Sequence, residues 1–280
     1  MPENILFRFA NEEMIYLLRS LNITDFPGMT AEPLKQLTDE EKSLLMATVD
    51  HTLRARGLVL WDGETTRQID PLVITLLLEC AHPDFTLFVD LLDATTGAAR
   101  LLYIFGSEAI VEQCEVEPQV QQYLRLPSHE AALQRLQALL LPERNEALEG
   151  TAAALPIGQL SMDLWQEALK VVRAGESGAA TLLARSLPNL TAEALAEALH
   201  AFQRICYLGR WKQTPSSEED QPAAALTIVI GGKQLFLLWQ EEPGGLSLTV
   251  VSAGMEQIRA YLTRLLPPER STHEKRNGSN

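Results

Sequence analysis

Apolar residues recur at helical spacing through much of the chain. Met14, Leu17, Leu18 and Leu21 fall on one face of a helix predicted over 11–21. Pro27-Gly28 breaks the chain, and Thr38 with Glu41 three residues on forms a capping box that opens a second helix. Its stripe is Leu45, Val49 and Leu53, and Gly57 ends it. Leu58-Val59-Leu60-Trp61 then reads as a strand turned by Asp62-Gly63. Asp70 as N-cap and Pro71 at the first helical position open a third helix. The run from Leu72 to Ala81 is apolar almost all round, which predicts deep burial, and Pro83 stops it. Strands are expected over 86–92, 100–105 and within 109–117, with 119–125 as a further addition to the sheet. Ser128 caps a helix over 129–141 that points Leu133, Leu136 and Leu140 inward.

Residues 142–158 hold no clear periodicity and are rich in Glu, Ala and Pro, the composition of a linker. The expected organisation is an N-terminal α+β half (1–148), a C-terminal α+β half (149–270) and a disordered polar tail (271–280). The second half opens with a helix over 161–174, striped by Met162, Trp165, Leu169 and Val172. A short helix over 179–186 ends before Pro188. Thr191 is expected to cap the next, with Leu195, Leu199, Phe202 and Ile205 on one face, before a strand over 207–211. The polar stretch 213–222 reads as a mobile loop. Strands over 226–230, 234–240 and 246–251 and a closing helix over 254–266 complete the chain.

The halves repeat one another in pattern. Each runs helices, a strand after a helix-ending glycine (Gly57, Gly209), an antiparallel meander and a closing helix. The pattern Leu101–Phe105 matches Leu235–Trp239, and both closing helices end in Leu-Leu, Pro, Glu, Arg. The helix over 71–81 has no counterpart. The fold class is α+β: two pseudo-symmetric halves with antiparallel strands flanked by helical bundles.

Composition narrows the function. Of 280 residues, 37 are acidic and 23 are Lys or Arg, a formal net charge of −14. Such a surface repels phosphate backbones, and the densest basic stretch, 270–276, is interrupted by Glu274 and bordered by Glu269. Nucleic-acid binding is therefore not expected. No apolar run approaches the roughly 20 residues that cross a bilayer, and the start lacks the basic and apolar regions of a signal peptide. Cys80, Cys114 and Cys206 are odd in number and form no CxxC, which points to a reducing cytoplasm.

Motifs for chemistry are missing: GxxxxGK[ST], GxSxG, HExxH and EF-hand patterns do not occur. Gly231-Gly232 and Gly244-Gly245 read as hairpin turns. His51, His82, His129, His200 and His273 show no metal-ligand spacing; only His51 and His200, at similar points of the two repeat helices, offer a joint metal reading. The carboxylates of Asp39-Glu40-Glu41 complement a helix dipole, and those of Glu218-Glu219-Asp220 lie in a polar loop. The helix from Thr38 with its following strand has the outline of a winged-helix module, but Asp39, Glu40, Glu41 and Asp50 would face phosphates. No catalytic residue, cofactor or metal is assigned. The expected function is non-catalytic protein binding, with a small-molecule-binding or enzymatic α+β protein as the alternative.

Leu53-Arg54-Ala55-Arg56-Gly57-Leu58-Val59 is followed by Asp70-Pro71-Leu72 and then by Ala81-His82-Pro83, a sequence of helix end, turn, buried helix and proline stop. In this, and in the order of elements over about 10–266, the chain resembles the EspG family of type VII (ESX) secretion-associated proteins. This chain departs from the family after Trp239, with Glu241-Glu242-Pro243-Gly244-Gly245 where members often carry Asp-Thr and Gly-Arg pairs. The resemblance implies a cytosolic chaperone or adaptor whose partner is a secreted helical-hairpin heterodimer of the PE–PPE type.

A docking surface is expected on the last meander. A Gly231-Gly232 turn pairs Ile230 with Lys233, Ile228 with Leu235 and Leu226 with Leu237. Leu226, Ile228, Ile230, Leu235, Leu237 and Trp239 then form a core face. The opposite face carries Val229, Phe236 and Leu238, with Thr249 added by the third strand alongside Ser247 and Val251. Val229, Phe236, Leu238 and Thr249 are the candidate partner-binding residues. Cover by a helix of the same chain is the competing expectation.

Overall fold

The computed structural model describes residues 5–27, 34, 36–61, 67–107, 109–141, 157–212, 222–232, 234–240 and 245–266. In chain order the elements are β1 (Ile5–Ala10), α1 (Asn11–Ser20), α2 (Asp39–Ala55), β2 (Val59–Trp61), β3 (Arg67–Ile69), α3 (Pro71–Ala81), β4 (Phe85–Asp93), β5 (Gly97–Phe105), β6 (Ile110–Glu117), β7 (Val120–Leu126) and α4 (His129–Leu140). The rest are β8 (Gly158–Ser161), α5 (Met162–Arg173), α6 (Ala179–Leu183), α7 (Asn189–His200), β9 (Phe202–Trp211), β10 (Ala224–Gly231), β11 (Gln234–Gln240), β12 (Ser247–Ser252) and α8 (Met255–Leu265). The fold class is α+β. Ten strands are hydrogen-bonded in the order β1-β7-β6-β5-β4-β9-β10-β11-β12-β8, and β2 with β3 forms a separate hairpin.

Local chemistry sets most helix starts. The Thr38 hydroxyl accepts from the Glu41 N–H, and the Glu41 carboxylate accepts from the Thr38 N–H at 2.8 Å. These hydrogen bonds hold the Glu41 carboxyl below its ordinary range. Asp70 Oδ1 accepts from Leu72 N at 2.7 Å, with Pro71 at the first helical position. Ser161 caps α5 in the same way. Gly57 leaves α2 at φ +70°, a left-handed conformation that glycine adopts without cost. Three expectations about helices fail. Thr191 lies in the first turn of α7 behind Pro188, fully buried, and does not cap it. The helix stops at His200, so Phe202 and Ile205 belong to β9, where aromatic and β-branched side chains favour a strand. In α3, Val73, Leu76, Leu77 and Cys80 are buried, but Leu72 and Leu78 face solvent, so the helix is half-buried.

The chain forms two compact units: Met1–Leu87 with Arg100–Ser128 and Lys212–Ser216, and Phe88–Ala99 with His129–Trp211 and Ser217–Asn280. In the first unit Phe9 is fully buried, and its ring meets Tyr123 at 6.1 Å. Tyr123 meets Phe26 at 6.2 Å. A polar clamp ties α2 to α1 and β1. Tyr16 donates to Asp50 at 2.5 Å, and Arg56 reaches Glu13 at 2.8 Å and the Arg8 carbonyl at 2.6 Å.

In the second unit both faces of the β9–β12 sheet are covered. Leu226, Ile228, Ile230, Leu235 and Leu237 are buried on one face, and Trp239 there meets Tyr261 of α8 edge-on at 5.5 Å. The other face packs under α5–α7. The β10–β11 turn is centred one residue later than predicted: Gly231 pairs with Gln234 and Ile230 with Leu235. Each expected pairing thereby shifts by two residues, which preserves the faces because side chains alternate with period two. The β4–β5 turn is fixed to β9 and α4. Asp93 accepts from Arg204 Nη2 at 2.5 Å and from the Thr95 and Thr96 N–H groups, while Arg204 Nη1 donates to the Leu139 carbonyl at 2.6 Å.

The linker expected at 142–158 falls outside the described residues except for its end, where Gly158 begins β8. The loop 213–221 and the tail from 267 onward also lie outside them.

Candidate functional site

Val229, Phe236 and Leu238 do not form a docking surface. Each is completely buried, in one cluster with Trp165 and Ala168 of α5, Leu183 of α6 and Leu195 and Leu199 of α7. Thr249 points the other way. Leu238 pairs with Val250 and Trp239 with Thr249, so Leu248 and Val250 join the Phe236 face while Ser247, Thr249 and Val251 join the Trp239 face. Thr249 Oγ1 accepts from Gln159 Nε2 at 3.0 Å. The physical reason is visible in the helices: α5, α6 and α7 each carry an apolar stripe, and stripes must be covered. Three helices before a meander claim one face of it, and α8 after it claims the other.

The remaining chemistry-bearing side chains are scattered. Cys80 and Cys206 are buried, and burial pushes both thiols far up, away from the nucleophilic thiolate. Cys114 is half-buried and receives Gln122 Nε2 at 3.9 Å. His51 is exposed and accepts from Arg54 at 3.0 Å. Among the described residues no three His, Cys, Asp or Glu side chains gather as metal ligands. No helix there is long and apolar enough to cross a membrane.

One sheet face of the first unit is buried at its centre and becomes exposed toward its β1 edge. On β1, β7, β6 and β5 two faces alternate. Phe9, Tyr123 and Gln113 share the face under the helices, marked by Phe26 beside Tyr123 and by the Arg56 guanidinium 5.6 Å from the Phe9 ring. The opposite face is built of cross-strand rungs. One rung is Leu6–Leu124–Glu112–Tyr103, and the next is Arg8–Gln122–Cys114–Leu101. Tyr103 and Glu112 are buried and joined by a 2.7 Å hydrogen bond. Burial then falls toward the β1 edge: Leu124 is half-buried and Leu6 is 49% exposed. Gln122 Oε1 accepts from Arg8 Nε at 3.0 Å and sets the Arg8 side chain on this face. No described carboxylate pairs with Arg8, although the chain carries a net −14. The surface can bury two leucines and offer a fixed cation to an acid. Sequence reasoning missed it because it did not assign β1. The signal was the mixed run Ile5-Leu6-Phe7-Arg8-Phe9-Ala10, in which Leu6 and Arg8 share one face of a strand.

No family model matches the chain, and no curated protein matches it. Among solved structures the chain is similar to the Mycobacterium tuberculosis type VII secretion system chaperone EspG5, solved in complex with the PE25–PPE41 dimer. The two are 14% identical, with a TM-score of 0.60 over 94% of this chain and 98% of that one. At that identity the likeness is one of fold, and it spans both halves of the chain.

Proposed function

We propose that this chain is a non-catalytic protein-binding protein: a chaperone or adaptor of the EspG kind, acting in the cytoplasm on a secreted helical-hairpin client. The observation that carries this reading is the end-to-end likeness to a chaperone that was solved holding a protein dimer. A fold shared over 94% of the chain leaves little of it for an added catalytic domain. The free, buried Cys80 and Cys206 suit a reducing compartment.

The docking surface in this reading is the exposed β1 side of that face, on β1 and β7, with Leu6 and Leu124 as apolar contacts and Arg8 as the charged one. Half-exposed leucines ringed by polar groups match the make-up of an interface that is wet alone and covered in a complex. The test is binding of the purified chain to hairpin heterodimers encoded by its own host. Leu6→Asp and Arg8→Glu should each weaken binding about tenfold or more while leaving the far-UV spectrum unchanged. Binding that both variants retain in full moves the surface elsewhere. Failure to bind any hairpin protein removes the chaperone reading.

A further inference from the structure

Two buried polar atoms of the first unit have complementary needs and no partner. The Tyr123 hydroxyl and Gln113 Oε1 are both shielded from solvent and both without a hydrogen bond. Tyr123 is 0% and Gln113 4% exposed. They stand directly opposite each other on β7 and β6, on the face that carries Phe9. Gln113 Nε2 faces the Pro27 carbonyl at 3.5 Å, which fixes the amide orientation, because the flipped form would set two acceptors against each other. Oε1 is therefore left as an acceptor without a donor. The Tyr123 phenol is held between the rings of Phe9 and Phe26. Burial raises its pKa, so it stays an O–H donor in search of an acceptor.

One buried donor and one buried acceptor on neighbouring side chains, not bonded to each other, call for a molecule that is both. It must be neutral, because neither group carries charge to offset an ion. It must also be small, because aromatic rings wall the Tyr123 side.

We propose that a single water molecule binds between Tyr123 and Gln113, accepting from the Tyr123 hydroxyl and donating to Gln113 Oε1. Two protein partners fall within the range of about two to four hydrogen bonds that a buried water makes. The water would link β6 to β7 and, through Gln113 and Pro27, to the chain that precedes α2.

A double-mutant cycle on the full chain, read by urea unfolding, tests this. Tyr123→Phe and Gln113→Met each leave the water one partner short and the other atom orphaned. Each should raise the unfolded fraction several-fold, and the double variant should be about tenfold less unfolded than the product of the singles predicts. A bare hydroxyl gives the opposite sign: Tyr123→Phe neutral or stabilising, and the two changes additive. That result overturns the site. Should a variant fail to fold, a crystal structure of the unmodified chain decides. Density about 2.7–3.0 Å from both Tyr123 Oη and Gln113 Oε1 supports the water. A well-ordered map with no density there refutes it.

Discussion

Phe236 shows how a single side chain separates surface from core. It is completely buried, with Leu238 and Val229, against three helices. Phe236→Ala should cost about 3–5 kcal/mol of stability in urea unfolding, the range for removing a buried aromatic ring. A loss below about 1 kcal/mol would place it at a surface. Asp93 makes a different residue-scale prediction. The Thr96 N–H first, then Arg204 and the Thr95 N–H, hold its carboxyl below the ordinary 3.8. A carboxyl lowered in the folded state contributes stability that is complete above its unfolded value and lost as pH falls through the folded one. The chain should therefore lose stability as pH drops below about 4, and Asp93→Asn should flatten that part of the profile while lowering stability at pH 7. Equal slopes for the two proteins between pH 5 and pH 2, as rough bounds around the aspartate range, would contradict the assignment. Local signals of this kind were legible in the sequence: Thr38 with Glu41, and Asp70 with Pro71, act within one turn. Thr191 misled because a hydroxyl near a helix start resembles a cap, while Pro188 already sets where α7 begins.

At the scale of elements, the two halves share an order of elements, in an alignment that differs from the one the sequence suggests. Each half has a first strand (β1, β8), helices, a four-stranded meander and a closing helix, and the first strand pairs antiparallel with the last of the meander. In that alignment α3 matches α7, each leading into a meander. The unmatched element is the β2–β3 hairpin. Gly57 and Gly209 are not equivalent: Gly57 turns a helix end, while Gly209 lies within β9, where a Cβ would strike the Trp211 ring. Likewise Leu101–Phe105 lies in the second meander strand and Leu235–Trp239 in the third. Leucine-rich patterns align with one another in several registers, and only backbone pairing chooses among them. The edge strands β1 and β8 were missed because short strands carry few periods. Gly231 offers the sharpest element-scale test. A Cβ there would lie 1.9 Å from the Ala198 backbone oxygen, so β10 and α7 approach too closely for any side chain. Gly231→Ala should push the helix off the sheet and lower the urea midpoint clearly, by an amount comparable to about 2 kcal/mol or more. An unchanged midpoint would show that the contact yields.

At the scale of the whole molecule, fold class and element order were legible, because they follow from periodicity and breakers spread over hundreds of residues. The proposed docking surface was not. It is defined by which end of a sheet face is left exposed, and that depends on strand pairing far apart in sequence: Leu6 with Leu124, and Leu124 with Glu112. The net charge of −14 gives the surface its character, since Arg8 stands as a cation on an acidic protein and should favour clients that present an acid beside apolar side chains. The most direct measurement is size-exclusion chromatography with light scattering of the chain mixed with each hairpin heterodimer of its host, run beside the Leu6→Asp and Arg8→Glu variants. The account predicts a stoichiometric complex for the unmodified chain and a reduced or missing one for both variants. The absence of any complex, or complexes of equal yield with all three proteins, would contradict it.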